Sequence, residues 1–137
     1  MPTNVTHAHS GPAHGSGHAH VDGEPQLDAE RLDAFHVAVE FQAIATGLAA
    51  RADAILRDQL LRASVSIVLN IAEGAGRRSR RDKARFYSMA RGSAAECGAI
   101  LYLLRARGVA SEAEYASSRK LIVRIVQMLS RLEARTR

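Results

Sequence analysis

The spacing of apolar side chains constrains the fold of this chain more than any other feature of the sequence. After position 26 these side chains recur every three or four residues, and one stripe runs through Leu56, Leu60, Ala63, Ile67 and Ile71. This spacing places them on one face of an α-helix, whereas a half-buried strand would alternate every second residue. Aromatic residues make up only 4% of the chain and tryptophan is absent, which also favours helices over a sheet. We therefore predict an all-α protein.

Turn and capping signals divide the apolar region into four helices. The second helix is predicted to end at Gly74 and Gly76, because glycine readily takes the left-handed conformation that often terminates helices, and Gly108 is predicted to cap the third helix. Two capping boxes open the third and fourth helices. These boxes are Ser79 with Asp82 and Ser111 with Glu114. Four helices joined by short turns pack most simply as an antiparallel up-down four-helix bundle, predicted here for residues 27–137.

The first two helices carry more apolar surface than one bundle core needs. The stripes on the first helix are Leu32, Phe35 and Val39, and Val37, Phe41, Ile44 and Leu48; the additional stripe on the second helix is Leu61, Val65, Val68 and Ala72. Self-association would cover the second stripes. The alternative is that these two helices lie deeper within the monomer.

The third and fourth helices each have a single predicted core stripe. These stripes are Phe86, Met89 or Ala90, Ser93, Cys97, Ile100 and Leu104 in the third helix, and Tyr115, Ser118, Ile122, Ile125, Leu129 and Leu132 in the fourth. Cys97 is the one cysteine of the chain, so no intrachain disulfide can form. Its place on a core stripe predicts a small buried hydrophobic residue rather than a reactive thiol.

Residues 1–26 have a different composition from the rest of the chain. They contain no Leu, Ile or Phe, and five of them are histidines. Such a segment cannot bury enough apolar surface to offset the entropy of ordering it, so a disordered N-terminal tail is predicted. The pairs His7/His9 and His18/His20 are weak metal-ligand candidates. Without a fixed scaffold, adventitious binding is favoured over a dedicated metal site.

The positive charge is concentrated at the predicted turn between the second and third helices. Residues 77–91 hold seven basic residues and one acidic residue, a local charge of +6 in a chain whose net charge is +5. Arginines beside a helix N-terminus suit phosphate groups, so this run is a candidate nucleic-acid interface. The predicted contacts are Arg77, Arg78, Arg80, Arg81, Lys83 and Arg85. Phe86 is expected in the core, which leaves Tyr87 as the one aromatic side chain able to stack on bases. The alternative is a solvated turn that aids solubility.

A few polar residues interrupt the apolar helical stretches around this turn. We predict a structural polar network of Asn70, Glu73, Arg91 and Glu96. In this network the two carboxylates pair with arginines such as Arg62 or Arg91, and Asn70 satisfies backbone groups near the glycine-rich turn. No serine has a histidine base at helical spacing, and no Glu-x-x-His pair suggests a di-metal bundle. An enzyme is therefore not expected, and neither is a cofactor. No apolar run approaches the length of a membrane span, and we expect a cytoplasmic protein without membrane contact.

The same turn also carries a resemblance to a known family. The residues are Arg62-Ala-Ser-Val-Ser-Ile67, Asn70-Ile-Ala-Glu-Gly74, Arg77-Arg78-Ser79, and Ala90-Arg-Gly-Ser93 followed by Glu96. Together they resemble the four-helix-bundle family of 23S rRNA intervening-sequence proteins, which includes the accessory variability determinant of diversity-generating retroelements. The resemblance covers about Leu32 to Leu132. Val68 replaces the family's usual proline, and the first interhelical connection is shorter than usual.

The resemblance implies a homopentamer with a basic surface that contacts RNA or DNA and no catalytic activity. Its retroelement branch further implies an adaptor for a reverse transcriptase and its RNA template. Our leading hypothesis is thus a non-enzymatic oligomer that binds nucleic acid through the basic turn. The alternative is a structural or protein–protein interaction module that does not bind nucleic acid.

Overall fold

A computed structural model describes residues 23–136 of the chain. A short 3-10 helix, Asp28–Arg31, precedes four long helices. These are α1 (Asp33–Ala49), α2 (Ala54–Gly76), α3 (Arg80–Ala106) and α4 (Glu112–Thr136). No strand occurs within this range, so the all-α prediction is confirmed. Residues 1–22 of the predicted tail, and with them the four candidate metal ligands His7, His9, His18 and His20, lie outside the described residues.

Each helix packs against the helices before and after it, and α1 also packs against α4 to close the bundle. Asp53, just before α2, forms an ion pair with Arg107, just after α3. Arg51, just after α1, forms an ion pair with Glu114 in the first turn of α4. Both pairs join the end of one helix to the start of its neighbour, as antiparallel packing requires. The predicted up-down four-helix bundle is therefore confirmed.

The core lies along the axis of the bundle and draws side chains from all four helices. The whole α2 stripe that was predicted from spacing is buried. The largest fully buried apolar side chains are Phe41, Leu60, Ile67, Ile71, Leu101, Leu104, Ile125 and Leu129. Cys97 is also completely buried, as predicted. No helix within residues 23–136 is both long and apolar enough to cross a bilayer.

The capping predictions for the later helices hold in most details. Gly108 has a φ of +72° and follows α3 in the left-handed conformation that was expected. The backbone N–H of Glu114 donates to Ser111 Oγ at 3.1 Å, and the N–H of Ser111 donates to Glu114 Oε1 at 3.0 Å, which completes that capping box. At the start of α3, the N–H of Asp82 donates to Ser79 Oγ at 3.0 Å.

The predicted role of glycine at the end of α2 is wrong. Gly74 and Gly76 both lie within α2 and neither has a positive φ, so neither acts as a left-handed cap. The helix ends because Arg77 is extended, with φ −76° and ψ 149°. Gly74 is needed for a different reason, which is the close approach of α3. A Cβ at this position would lie 2.7 Å from Cε1 of the buried Tyr87 ring.

Most side chains of the second apolar stripes pack within the monomer. This agrees with the alternative that α1 and α2 lie deeper within the monomer than a single stripe would require. Leu61 and Val68 of α2 pack against the core, and so do Leu32 and Phe35. The remaining apolar exposure lies mainly on the outer faces of α2 and α3. The exposed large apolar side chains of these two helices are Ile55, Val65, Leu69, Met89, Tyr102 and Leu103. On α3, Ala90 is buried and Met89 is exposed, so Ala90 is the member of the predicted core stripe.

Candidate nucleic-acid interface

The basic turn joins α2 to α3 at the end of the bundle where α1 begins and α4 ends. Three residues, 77–79, connect the two helices, and Ser79 caps the N-terminus of α3. Arg77 and Arg78 lie between the helix ends, and the other arginines of this region lie on the outward side of the first turns of α3. The exposed arginines from the predicted set are Arg77, Arg78, Arg80, Arg81 and Arg85.

Lys83 differs from the other predicted phosphate contacts. Its ammonium Nζ donates to the backbone carbonyl of Ala75 at 2.8 Å and to that of Gly74 at 3.2 Å. These carbonyls belong to the last turn of α2, where no intrahelical N–H is available to them. Lys83 is therefore half-buried and caps α2 from across the turn. A cation in this position also interacts favourably with the negative end of the helix dipole.

Two arginines of the turn are held against one aromatic ring. The guanidinium carbons of Arg77 and Arg85 each lie 4.8 Å from the centre of the Phe86 ring, within the range of cation–π contacts. Arg77 also donates to Glu73 Oε2 at 3.2 Å. These contacts leave both side chains exposed while fixing where their charges lie.

The expected roles of Phe86 and Tyr87 are reversed. Phe86 is only half-buried and lies beneath the two guanidinium groups. Tyr87 is 3% exposed because its ring packs against the Cα of Gly74, and burial, with a smaller effect of Asp28, raises the pKa of its hydroxyl. The prediction that Phe86 lies in the core and Tyr87 is available to stack on bases is therefore wrong.

The other three arginines of the turn have no such contacts. Arg78, Arg80 and Arg81 are exposed, and none forms an ion pair with another residue of the described range. At the opposite end of the bundle, three arginines are paired with carboxylates. These pairs are Arg51 with Glu114, Arg105 with Glu112 and Arg107 with Asp53. The turn thus groups three unpaired arginines within four consecutive positions of the described chain.

The structure does not join the four predicted residues of the polar network. Glu73 pairs with Arg77 rather than with Arg62 or Arg91. Glu96 is exposed, and no ion pair links it to another residue between 23 and 136. The expected pairing fails because Glu73 and Glu96 both lie on outward faces of their helices, where a carboxylate needs no buried partner.

The polar contacts between α2 and α3 are instead made by an amide and two hydroxyls. Asn70 Nδ2 donates to the backbone carbonyl of Ser66 at 2.9 Å and to Ser66 Oγ at 3.0 Å. Ser66 Oγ lies 2.9 Å from Ser93 Oγ on α3, with one hydroxyl donating to the other. Asn70 thus supports a hydrogen bond between the helices rather than the glycine-rich end of α2.

Arg91 has a partner that the sequence analysis missed. Its Nε and Nη2 donate to the two carboxylate oxygens of Glu133 on α4, at 2.7 and 3.1 Å. Glu133 is only 6% exposed. A signal for this position existed, because Glu133 follows Leu129 by four residues on the same core stripe. Leu132, which was predicted there, is half-buried beside it.

The groups able to support redox, metal or nucleophilic chemistry are few in the part of the chain that the structure describes. No three His, Cys, Asp or Glu residues there are grouped so that they could hold a metal ion. Burial, with a smaller contribution from the Glu96 carboxylate, raises the pKa of the Cys97 thiol to about 12. The thiolate form that reacts or binds metals is therefore scarce at neutral pH.

The fold and this turn define a class of protein, a small antiparallel four-helix bundle with unpaired arginines at one end. The sequence model of a family described as 23S rRNA-intervening sequence protein matches residues 31–131, well over half of the chain. The protein therefore belongs to that family. The match confirms the resemblance to the 23S rRNA intervening-sequence protein family that the residues around the turn indicate. No curated protein matches the sequence significantly.

Proposed function

We propose that this protein is a non-enzymatic oligomer that binds nucleic acid through the turn between α2 and α3. The observation that carries the proposal is the group of three exposed arginines, Arg78, Arg80 and Arg81, without carboxylate partners in the described residues. Phosphate groups of RNA or DNA are the complementary ligands, because a guanidinium can donate two parallel hydrogen bonds to a phosphate.

The surroundings of the three arginines support the same ligand. They lie beside the N-terminus of α3, where free N–H groups and the helix dipole favour an anion. Arg77 and Arg85 add two charges whose positions are fixed by Phe86. Since Tyr87 is buried and Phe86 is covered, no aromatic ring of the turn is open to stack on bases. Contacts of this kind read the phosphate backbone and carry little sequence information.

Self-association is the second part of the proposal. Leu69 on α2 and Met89 and Leu103 on α3 are 58%, 49% and 44% exposed, and small residues such as Ala95 and Ala99 are exposed beside them on α3. A second copy can pack closely on such a surface, and the family resemblance implies a pentamer. An oligomer would present several basic turns to one strand, which raises the overall affinity without any new kind of contact.

The resemblance to the retroelement branch extends this proposal to an adaptor that brings RNA to a reverse transcriptase. An interaction module that does not bind nucleic acid is the second candidate. The exposed apolar surface of α2 and α3 supports this second candidate as well, because a protein partner would cover that surface whether or not the turn binds phosphate.

The experiment is a binding titration with the triple variant R78Q/R80Q/R81Q. We expect it to keep the helicity and oligomeric state of the parent and to lose most of its affinity for unrelated RNA and DNA oligonucleotides, measured by fluorescence anisotropy at one salt concentration. The control R57Q/K120Q/R124Q removes the same formal charge from exposed positions on α2 and α4. Equal affinity of the turn variant and the control would contradict the proposal. No binding by the parent would favour the interaction module.

A further inference from the structure

A second group of arginines lies at the same end of the bundle, between the start of α1 and the end of α4. Arg31 from the 3-10 helix and Arg131 and Arg135 from α4 line a cleft of about 260 Å³. All three side chains are exposed, and none forms an ion pair with a residue of the range 23–136. No sequence motif marks this site, because Arg31 is about a hundred positions from Arg131 and Arg135 along the chain.

The lining of the cleft suits a small anion. The one acidic residue in it is Asp33, so the three arginines leave a net formal charge of +2. One wall is the N-terminus of α1, where the cap residue, Leu32, has no side-chain oxygen to accept hydrogen bonds from the first N–H groups of the helix. Such an end attracts negative charge. The remaining surface is formed by partly buried apolar side chains, including Met128 and Leu132.

Electrostatic repulsion between two of these arginines destabilises the free protein, and a bound anion would reduce this repulsion. Arg131 and Arg135 are four residues apart on α4, where like charges repel each other. Paired arginines elsewhere in the bundle have carboxylates within reach, such as Glu133 for Arg91. What distinguishes this group from an ordinary charged helix face is its concave shape and the third arginine, Arg31, which comes from another element.

We infer that this cleft binds a phosphate group of the nucleic-acid strand, an inference that rests on the function proposed above. Of the described residues, three arginines and only one carboxylate line the cleft, so a phosphate group, which accepts hydrogen bonds from several guanidinium groups, is the ligand that it suits. The basic turn and the cleft lie at the same end of the bundle, on its α2–α3 and α1–α4 sides. A strand that crosses this end contacts both.

The test uses the full chain and a fluorescein-labelled single-stranded RNA of arbitrary sequence. The variant R131Q/R135Q removes two of the three arginines, and K120Q/R124Q is its matched control, with the same spacing on the same helix but outside the cleft. If the cleft neutralises one phosphate and the variant loses that contact, a slope of about 0.7 predicts that the cleft variant binds about 5-fold more weakly than the parent in 0.1 M salt, relative to a 1 M reference. The control should weaken binding much less.

A charge-preserving variant separates the loss of charge from a loss of structure. R131K/R135K keeps both positive charges, so it should retain most of the affinity, and circular dichroism should show parental helicity for all variants. Equal binding by the cleft variant and its control, with the turn variant still impaired, would overturn the cleft alone. Impaired binding by the cleft variant and not by the turn variant would support the cleft and contradict the turn. A parent that does not bind RNA would overturn both.

Discussion

The close approach of α2 and α3 at Gly74 can be tested by adding a single methyl group. In Gly74→Ala the new Cβ would lie 2.7 and 2.9 Å from two carbons of the Tyr87 ring and 3.2 Å from Cβ of Phe86. Real side chains do not tolerate the first two distances, and Tyr87 is buried, so its ring cannot simply turn into solvent. Either the ring or the helix must shift.

Two opposing effects set the magnitude. Alanine is favoured over glycine in a helix by about 1 kcal/mol. Forcing an extra methyl group into a packed contact costs about 1–3 kcal/mol. We therefore expect Gly74→Ala to lower the free energy of unfolding by about 1 kcal/mol. Gly47→Ala is the control, because a Cβ at Gly47 meets nothing within 4 Å and its φ is not positive, so it should stabilise the protein by about 0.5–1 kcal/mol.

The assay is urea unfolding followed by circular dichroism at one fixed protein concentration, because the midpoint of any protein that self-associates depends on its concentration. A double-mutant cycle with Tyr87→Ala isolates the contact, because removing the ring should turn Gly74→Ala from destabilising to stabilising. If Gly74→Ala stabilises the parent as much as Gly47→Ala does, the two helices do not approach each other at this point.

Three further predictions concern single groups. Cys97 should not react with a thiol reagent at pH 8 until the protein is unfolded, because the pKa of its buried thiol is about 12; rapid labelling of the native protein would contradict its burial. Arg91→Gln leaves the Glu133 carboxylate buried without its partner. We expect the free energy of unfolding, measured with urea, to fall by about 1–2 kcal/mol. This is less than the roughly 3–5 kcal/mol of a fully buried pair, because Arg91 is 42% exposed. No loss relative to Arg62→Gln would refute this. A hydrogen bond from the N–H of Leu56 and, to a smaller extent, the nearby charge of Arg107 lower the pKa of Asp53. The ionised Asp53 carboxylate therefore stabilises the fold above the ordinary aspartate pKa of about 3.9, and this stabilisation is lost as the pH falls through the lower pKa of the folded state. Asp53→Asn should flatten the acid side of the stability profile, and an unchanged profile would exclude that role.

Much of the fold could be predicted because helical spacing and capping residues are local signals. The buried α2 stripe, the Ser111 capping box and the left-handed Gly108 each depend on residues a few positions apart. What spacing could not decide is how two neighbouring stripes divide between core and surface. That division depends on the angle at which helices meet, and at the start of α3 the close approach at Gly74 buries Tyr87 in place of Phe86.

The candidate site was predicted less completely than the fold. Composition located the basic turn, but charge alone did not separate arginines with free guanidinium groups from Lys83, whose partners are backbone carbonyls of another helix. The partner of Arg91 and the cleft lined by Arg31 both involve the end of α4. Contacts between residues so distant in the sequence follow only from the antiparallel order of the helices.

The salt dependence of nucleic-acid binding tests the central claim most directly. The affinity of the parent for single-stranded RNA is measured across a series of salt concentrations, and the measurement is repeated with R78Q/R80Q/R81Q. If each of these arginines neutralises one phosphate, the slope of the logarithm of affinity against the logarithm of salt concentration should be shallower in the variant by about 2. Parallel slopes for the two proteins, or an affinity of the parent that does not depend on salt, would show that these arginines do not contact phosphates.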